Sequence, residues 1–342
     1  MMVSDFVQIG VVTKNEMIKC VRGKKFLISL AIVGIVFILI TLLQFAMGTW
    51  DSMKDNMGLF VDVYFSNLPL VIALVVALLS SVAIVSEFEE RTALILFTRP
   101  IRRTTILVGK IISCLVIEAA IILGYYILAS IVGFIQVGSL SGSIVESYFI
   151  AVLYAFAASG IAFIISSFFK KGSVCTIIAM LVLVLVLPIT TSMIGSGGSE
   201  GWYMMDDAGS SMYKCVPEYV EYYNEMSNSF ADVVKSASAI LKGYTSGNLD
   251  EAIVWINDYV TTAEFQALDP DTQASIYYLQ AYLNMSSDPN LVYMIQVLDA
   301  MTESSMLAPM KNPDVTRSVI VLIIWGLAGF LVSWFRFVRR EF

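Results

Sequence analysis

The chain contains no histidine, and only 14% of its 342 residues carry charge. Without imidazole, His-based zinc sites and Ser-His or Cys-His dyads are excluded. Charge at that level lies far below the roughly one quarter usual in soluble domains. With 58% hydrophobic residues and a mean hydropathy of +0.78, such a chain cannot hide its apolar surface from water. The composition therefore indicates an integral membrane protein. Cysteine is also sparse, at four residues, and a G-x-x-x-x-G-K-[ST] phosphate loop is missing, "GYTSGN" at Gly243 not being one.

Long apolar runs are what the chain has instead. Six of them, at 26–47, 68–85, 111–137, 148–169, 173–194 and 319–338, approach or exceed the length that crosses a hydrocarbon core. None alternates like a barrel strand, so all six are expected to be helices. Pro188 is expected to kink or shorten the fifth.

Basic residues set the orientation. Lys14, Lys19, Arg22, Lys24 and Lys25 precede the first span, and a charged connector at 86–110 follows the second. Lys170 and Lys171 lie between the fourth and fifth, while Arg336, Arg339 and Arg340 end the sixth. The two short opposite loops hold only Lys54. Both termini are accordingly expected in the cytoplasm of a multi-pass cell-membrane protein. Of the cysteines, only Cys215 then faces an oxidising compartment, so no internal disulfide framework is expected.

The predicted organisation has four parts. Residues 1–25 form an N-terminal cytoplasmic amphipathic helix, and 26–195 carry spans one to five. Residues 196–316 form an extracytoplasmic acidic helical domain, and 317–342 hold the sixth span with a cytoplasmic tail. The fold class is all-α. The outer segment carries 17 acidic against 4 basic residues. Its helix starts are signalled near Pro217, at Asn248 and at the Asp269-Pro270 and Asp288-Pro289 pairs. Nine methionines lie there, but their spacing and the lack of histidine favour an ordinary core over a Cu(I) site.

Two polar features need an account. The connector "SEFEERTALILFTRPIRRTTILVGK" combines Glu87, Glu89 and Glu90 with Arg91, Arg99, Arg102, Arg103 and Lys110. The positive-inside rule accounts for its arginines but not its glutamates. Acidic residues first and basic residues last suit a short helix at 87–98, closed before Pro100. Its mixture of charge and exposed apolar surface suits docking to another protein. Glu118 is the only ionisable group deep within a span. Two readings of it stand: a residue lining a pathway, or a carboxylate hydrogen-bonded to a serine or tyrosine on a neighbouring helix.

The glutamate cluster, Thr92 and "LILFTRPIRRTTILVGK" resemble the segment after the second span in ABC-2-type transporter permeases. "VVTKNEMIKCVRGKKFLI" is similar to that family's N-terminal amphipathic helix, with Lys14, Glu16 and Arg22 in the expected places. The resemblance implies a transport subunit, an exporter, without an ATPase site or cofactor of its own. ATP and Mg would be bound by a partner ABC ATPase, beneath this permease and a second permease chain, identical or related. Glu87, Glu89, Glu90, Arg91, Thr92, Pro100, Arg102, Arg103 and Lys110 would then couple nucleotide-driven movement to the spans. No nucleic-acid partner is expected. A membrane scaffold or sensor with the acidic domain as receptor is the alternative.

Overall fold

The computed structural model describes residues 5–89, 102–196, 201–242, 249–268, 270–285, 310 and 312–339. Helices account for nearly all of the secondary structure there, and no strand occurs among the described residues. The chain divides into two compact units. One comprises Met1–Val220 with Asn312–Phe342, the other Glu221–Lys311.

The first unit opens with α1 (Asp5–Arg22), which ends at Gly23 before α2 (Lys24–Met47). The further apolar helices are α3 (Met57–Glu87), α4 (Arg103–Val137), α5 (Ser143–Phe168), α6 (Gly172–Gly195) and α11 (Val315–Arg339). With α2, these six are long and apolar enough to cross a membrane, and they make the chain a multi-pass membrane protein.

Helix α3 begins well before the apolar run that marks it in the sequence. The Asn56 side chain accepts from the Leu59 amide at 2.9 Å, and the helix starts at Met57, about three turns earlier. α4 likewise starts at Arg103 rather than 111. At about 1.5 Å per residue it exceeds a hydrocarbon core of about 30 Å. Its first turns therefore extend beyond the core. Pro188 does not shorten α6. It has no N–H to donate to the preceding turn, and the helix widens into a π-helical turn at Leu181–Val186 before continuing.

Helices α5 and α11 cross at glycines. A Cβ on Gly160 would lie 2.8 Å from the Gly326 carbonyl oxygen, so only the bare backbone permits this approach. Phe163, Phe330 and Phe337 join Ile84, Leu107 and Cys114 in a core at one end of these helices. Polar groups inside the spans are satisfied locally, as lipid requires. Tyr125 Oη donates to the Tyr64 carbonyl at 2.6 Å, and Tyr126 Oη meets Ser147 Oγ at 2.7 Å.

The first unit also contains α7 (Met205–Lys214), with Met205, Ala208 and Met212 buried on one face. α7 packs against α5 and α11, and Ser211 Oγ meets Ser318 Oγ at 2.7 Å. The second compact unit is consequently narrower than the 196–316 expected from composition. It contains most of α8 (Pro217–Lys242), then α9 (Leu249–Tyr259) and α10 (Pro270–Met285). The last two begin where the Asn248 and Asp269-Pro270 signals place them, whereas Asp288-Pro289 lies outside the described residues. Ile256, Phe265 and Ile276 are buried, and the Trp255 and Tyr259 rings stack with centroids 4.8 Å apart. Gln280 Nε2 donates to Asn257 Oδ1 at 2.7 Å, tying α10 to α9.

Candidate functional site

Charged side chains converge where α1, α3 and α4 meet. Helix α1 lies against the start of α4 because Gly109 has no side chain. A Cβ there would sit 2.6 Å from Val12 Cγ1. The next residue supplies the cation. Lys110 Nζ donates to Glu16 Oε2 and to Glu87 Oε1, each at 2.9 Å. Lys19 Nζ reaches the same Glu87 oxygen at 3.0 Å. The side chain of Lys110 is only 3% exposed.

Two lysines thus balance two glutamates on three separate helices. Desolvating a lone ammonium here would cost several kcal/mol, and the paired carboxylates offset it only while all three helices stay in register. The dipeptide Gly109-Lys110 therefore does two jobs: glycine admits α1, and lysine locks it.

Neighbouring charges secure the remaining helices at the same end. Glu89 Oε2 accepts from the Gly172 amide at 3.0 Å, at the first turn of α6. A carboxylate there satisfies an otherwise unpaired N–H and faces the positive end of the helix dipole. Arg103 Nη1 donates to the Val338 carbonyl at 3.0 Å, at the last turn of α11, where a cation is favoured. Glu16, Glu87 and Lys110 are thus brought together in one network, while Glu89 and Arg103 bind backbone groups of α6 and α11. Lys14, Arg22 and Arg102 are exposed. Glu90, Arg91, Thr92 and Pro100 lie outside the described residues. Lys19 and Gly109 belong to the network although sequence reasoning did not single them out. The signal for Lys19 was present, three residues after Glu16 on an amphipathic helix.

Two turns further along α4, Glu118 is fully buried. Ser80 Oγ donates to its Oε1 and Ser159 Oγ to its Oε2, both at 2.7 Å. This matches the hydrogen-bonded reading of Glu118. A cavity of about 280 Å³, lined by Lys24, Lys25, Leu78, Val82 and Cys114, reaches to within one helical turn of it. No group of three or more metal-ligating side chains occurs among the described residues.

A family model described as "ABC-2 family transporter protein" matches residues 12–187, which is more than half of the chain and runs from α1 into α6. No curated protein matches the chain.

Proposed function

The chain belongs to the ABC-2 family of transporter permeases, and on that premise we propose that it is an exporter subunit driven by a separate ATPase docked beneath the charged end of its helices. The observation that carries this reading is the network of Glu16, Lys19 and Glu87 closed around the buried Lys110. A partner pressing on the connector at 86–110 would load α3 and α4 directly. The ion pairs would pass that displacement to α1, and Glu89 and Arg103 would carry it to α6 and α11. Interior packing of this density transmits strain rather than absorbing it.

In this arrangement both termini are cytoplasmic, which the basic residues flanking α2 and α11 support. The acidic segment 196–316 is extracytoplasmic in this reading and controls what enters or leaves the pathway, which the placement of Lys170, Lys171, Arg336 and Arg339 at the other ends of its flanking spans supports. A second permease chain completes the membrane assembly, and nucleotide and Mg belong to the ATPase.

The test is photocrosslinking in the native membrane. A benzophenone amino acid at Thr92 should capture a chain bearing a phosphate loop, whereas the same group at Leu42 on α2 should not. Capture of no ATPase from Thr92 or Arg102, in a protein that inserts normally, would overturn the docking proposal. Capture together with ATP turnover that moves no substrate would favour the scaffold reading.

A further inference from the structure

At the end of the first unit remote from the ion network, a cavity of about 380 Å³ opens between α3, α5, α6 and α7. That volume falls within the range of small-molecule sites, about 300–1,000 Å³. Its lining is mixed. Leu70, Leu183, Val184 and Pro188 supply apolar surface, two of them from the π-helical turn of α6, and Ser66, Asn67 and Thr191 lie among them. Turns of this kind recur at functional sites. The opposing wall is α7, which presents Asp206, Asp207, Ser210 and Lys214.

The charges on that wall do not close on one another. Lys214 Nζ stands 4.0 Å from Asp207 Oδ1, at the limit of an ion pair. Asp206 Oδ1 accepts only a neutral hydrogen bond, from Tyr154 Oη at 3.2 Å, and Tyr154 is 1% exposed. Burial raises Asp206 above the ordinary carboxylate range and lowers Lys214 below the ordinary ammonium range. Two carboxylates therefore face one partly desolvated cation.

We propose that this cavity binds the primary ammonium group of a cationic amphiphile, with its hydrocarbon portion against α6. A compact divalent cation fits poorly, since Ca²⁺ requires six to eight oxygen ligands and no group of three metal-ligating side chains occurs among the described residues. A quaternary ammonium could lie against Tyr154 and Tyr213, which also line the cavity, but it has no N–H to give to the carboxylates. A primary ammonium instead carries three N–H donors, which the carboxylates of Asp206 and Asp207 and the Ser210 hydroxyl can accept. Its apolar chain removes Leu70, Leu183 and Val184 from water or lipid headgroups. Charge-assisted hydrogen bonds supply the specificity.

The experiment is a fluorescence titration of the full chain in zwitterionic nanodiscs with dansylcadaverine, a fluorophore bearing a primary amine. Binding should saturate, and dodecylamine should displace it at concentrations roughly tenfold or more below dodecanol, the margin of a lost charged hydrogen bond. Asp206→Asn should weaken binding by a similar factor, and Lys214→Met should tighten it. Leu183→Trp, which fills the apolar side without changing charge, should abolish it, while Asp51→Asn at an exposed site should change nothing. Equal displacement by dodecanol, or undiminished affinity in both Asp206→Asn and Leu183→Trp, would overturn the proposal. If Asp206→Asn fails to fold, Leu183→Trp and Lys214→Met decide it alone. The titration uses no nucleotide and no ATPase, so its failure leaves the coupling proposal standing, and the reverse also holds.

Discussion

The two ends of the first unit handle buried charge in opposite ways. At one end Glu16, Lys19, Glu87 and Lys110 close on one another, with distances of 2.9–3.0 Å. At the other, Asp206 and Asp207 look into a cavity, with a single lysine at 4.0 Å. A closed network resists change because every member is committed. An open one has capacity left for a ligand. The same residue types therefore serve as a joint in one place and as a receptor in the other, and what separates them is whether the partner is supplied by the chain.

The sharpest way to break the comparison is at the joint. Lys110→Met leaves Glu16 and Glu87 buried without their shared cation and should destabilise the protein by about 3–5 kcal/mol. Thermal unfolding of the purified protein reads that loss, and Glu16→Gln combined with Glu87→Gln in the same background should recover part of it. A smaller effect is expected midway along α4. Glu118→Gln replaces one acceptor oxygen by a donor, so one serine must turn its hydrogen elsewhere, at about 1 kcal/mol. Transport unchanged across a pH series in this variant would assign Glu118 a structural role only. The smallest effect belongs to the receptor end and has the opposite sign. Because burial lifts Asp206, the folded state holds its proton more tightly than the unfolded chain. Stability is then greatest below the ordinary aspartate range and falls as pH rises through the lifted value. Asp206→Asn removes that slope, so stability at neutral pH should be equal or slightly higher, within about 0.5 kcal/mol.

Much of this was legible in the sequence, and what was not has physical causes. The six spans follow from apolar length alone. Their true ends do not, because polar residues such as Asn56 and Arg103 extend a helix past the membrane without adding hydropathy. The resemblance implies a coupling role for Lys110, but its spacing gives no sign that two glutamates face it. Glu118 was identified as buried and polar, and its serine partners as one of two possibilities. Helix α7 was absorbed into the acidic outer segment because Asp206 and Asp207 dominate its composition. Its buried face was nevertheless written in Met205, Ala208 and Met212, at spacings of three and four. Pro188 marked the right place on α6, but a local π turn took up the disturbance that a break would otherwise have relieved.

The contact that Gly109 permits also has a consequence for biogenesis. Glu16 and Lys19 leave the ribosome long before Lys110, so α1 must wait at the membrane surface, solvated and uncommitted, while two spans are inserted. Only the arrival of α4 offers a surface flat enough for Val12 and a cation for Glu16 at the same moment. Docking of α1 therefore reports that the third span is in place. A nascent chain stalled before Gly109 should leave α1 open to proteolysis, and one extended past α4 should protect it.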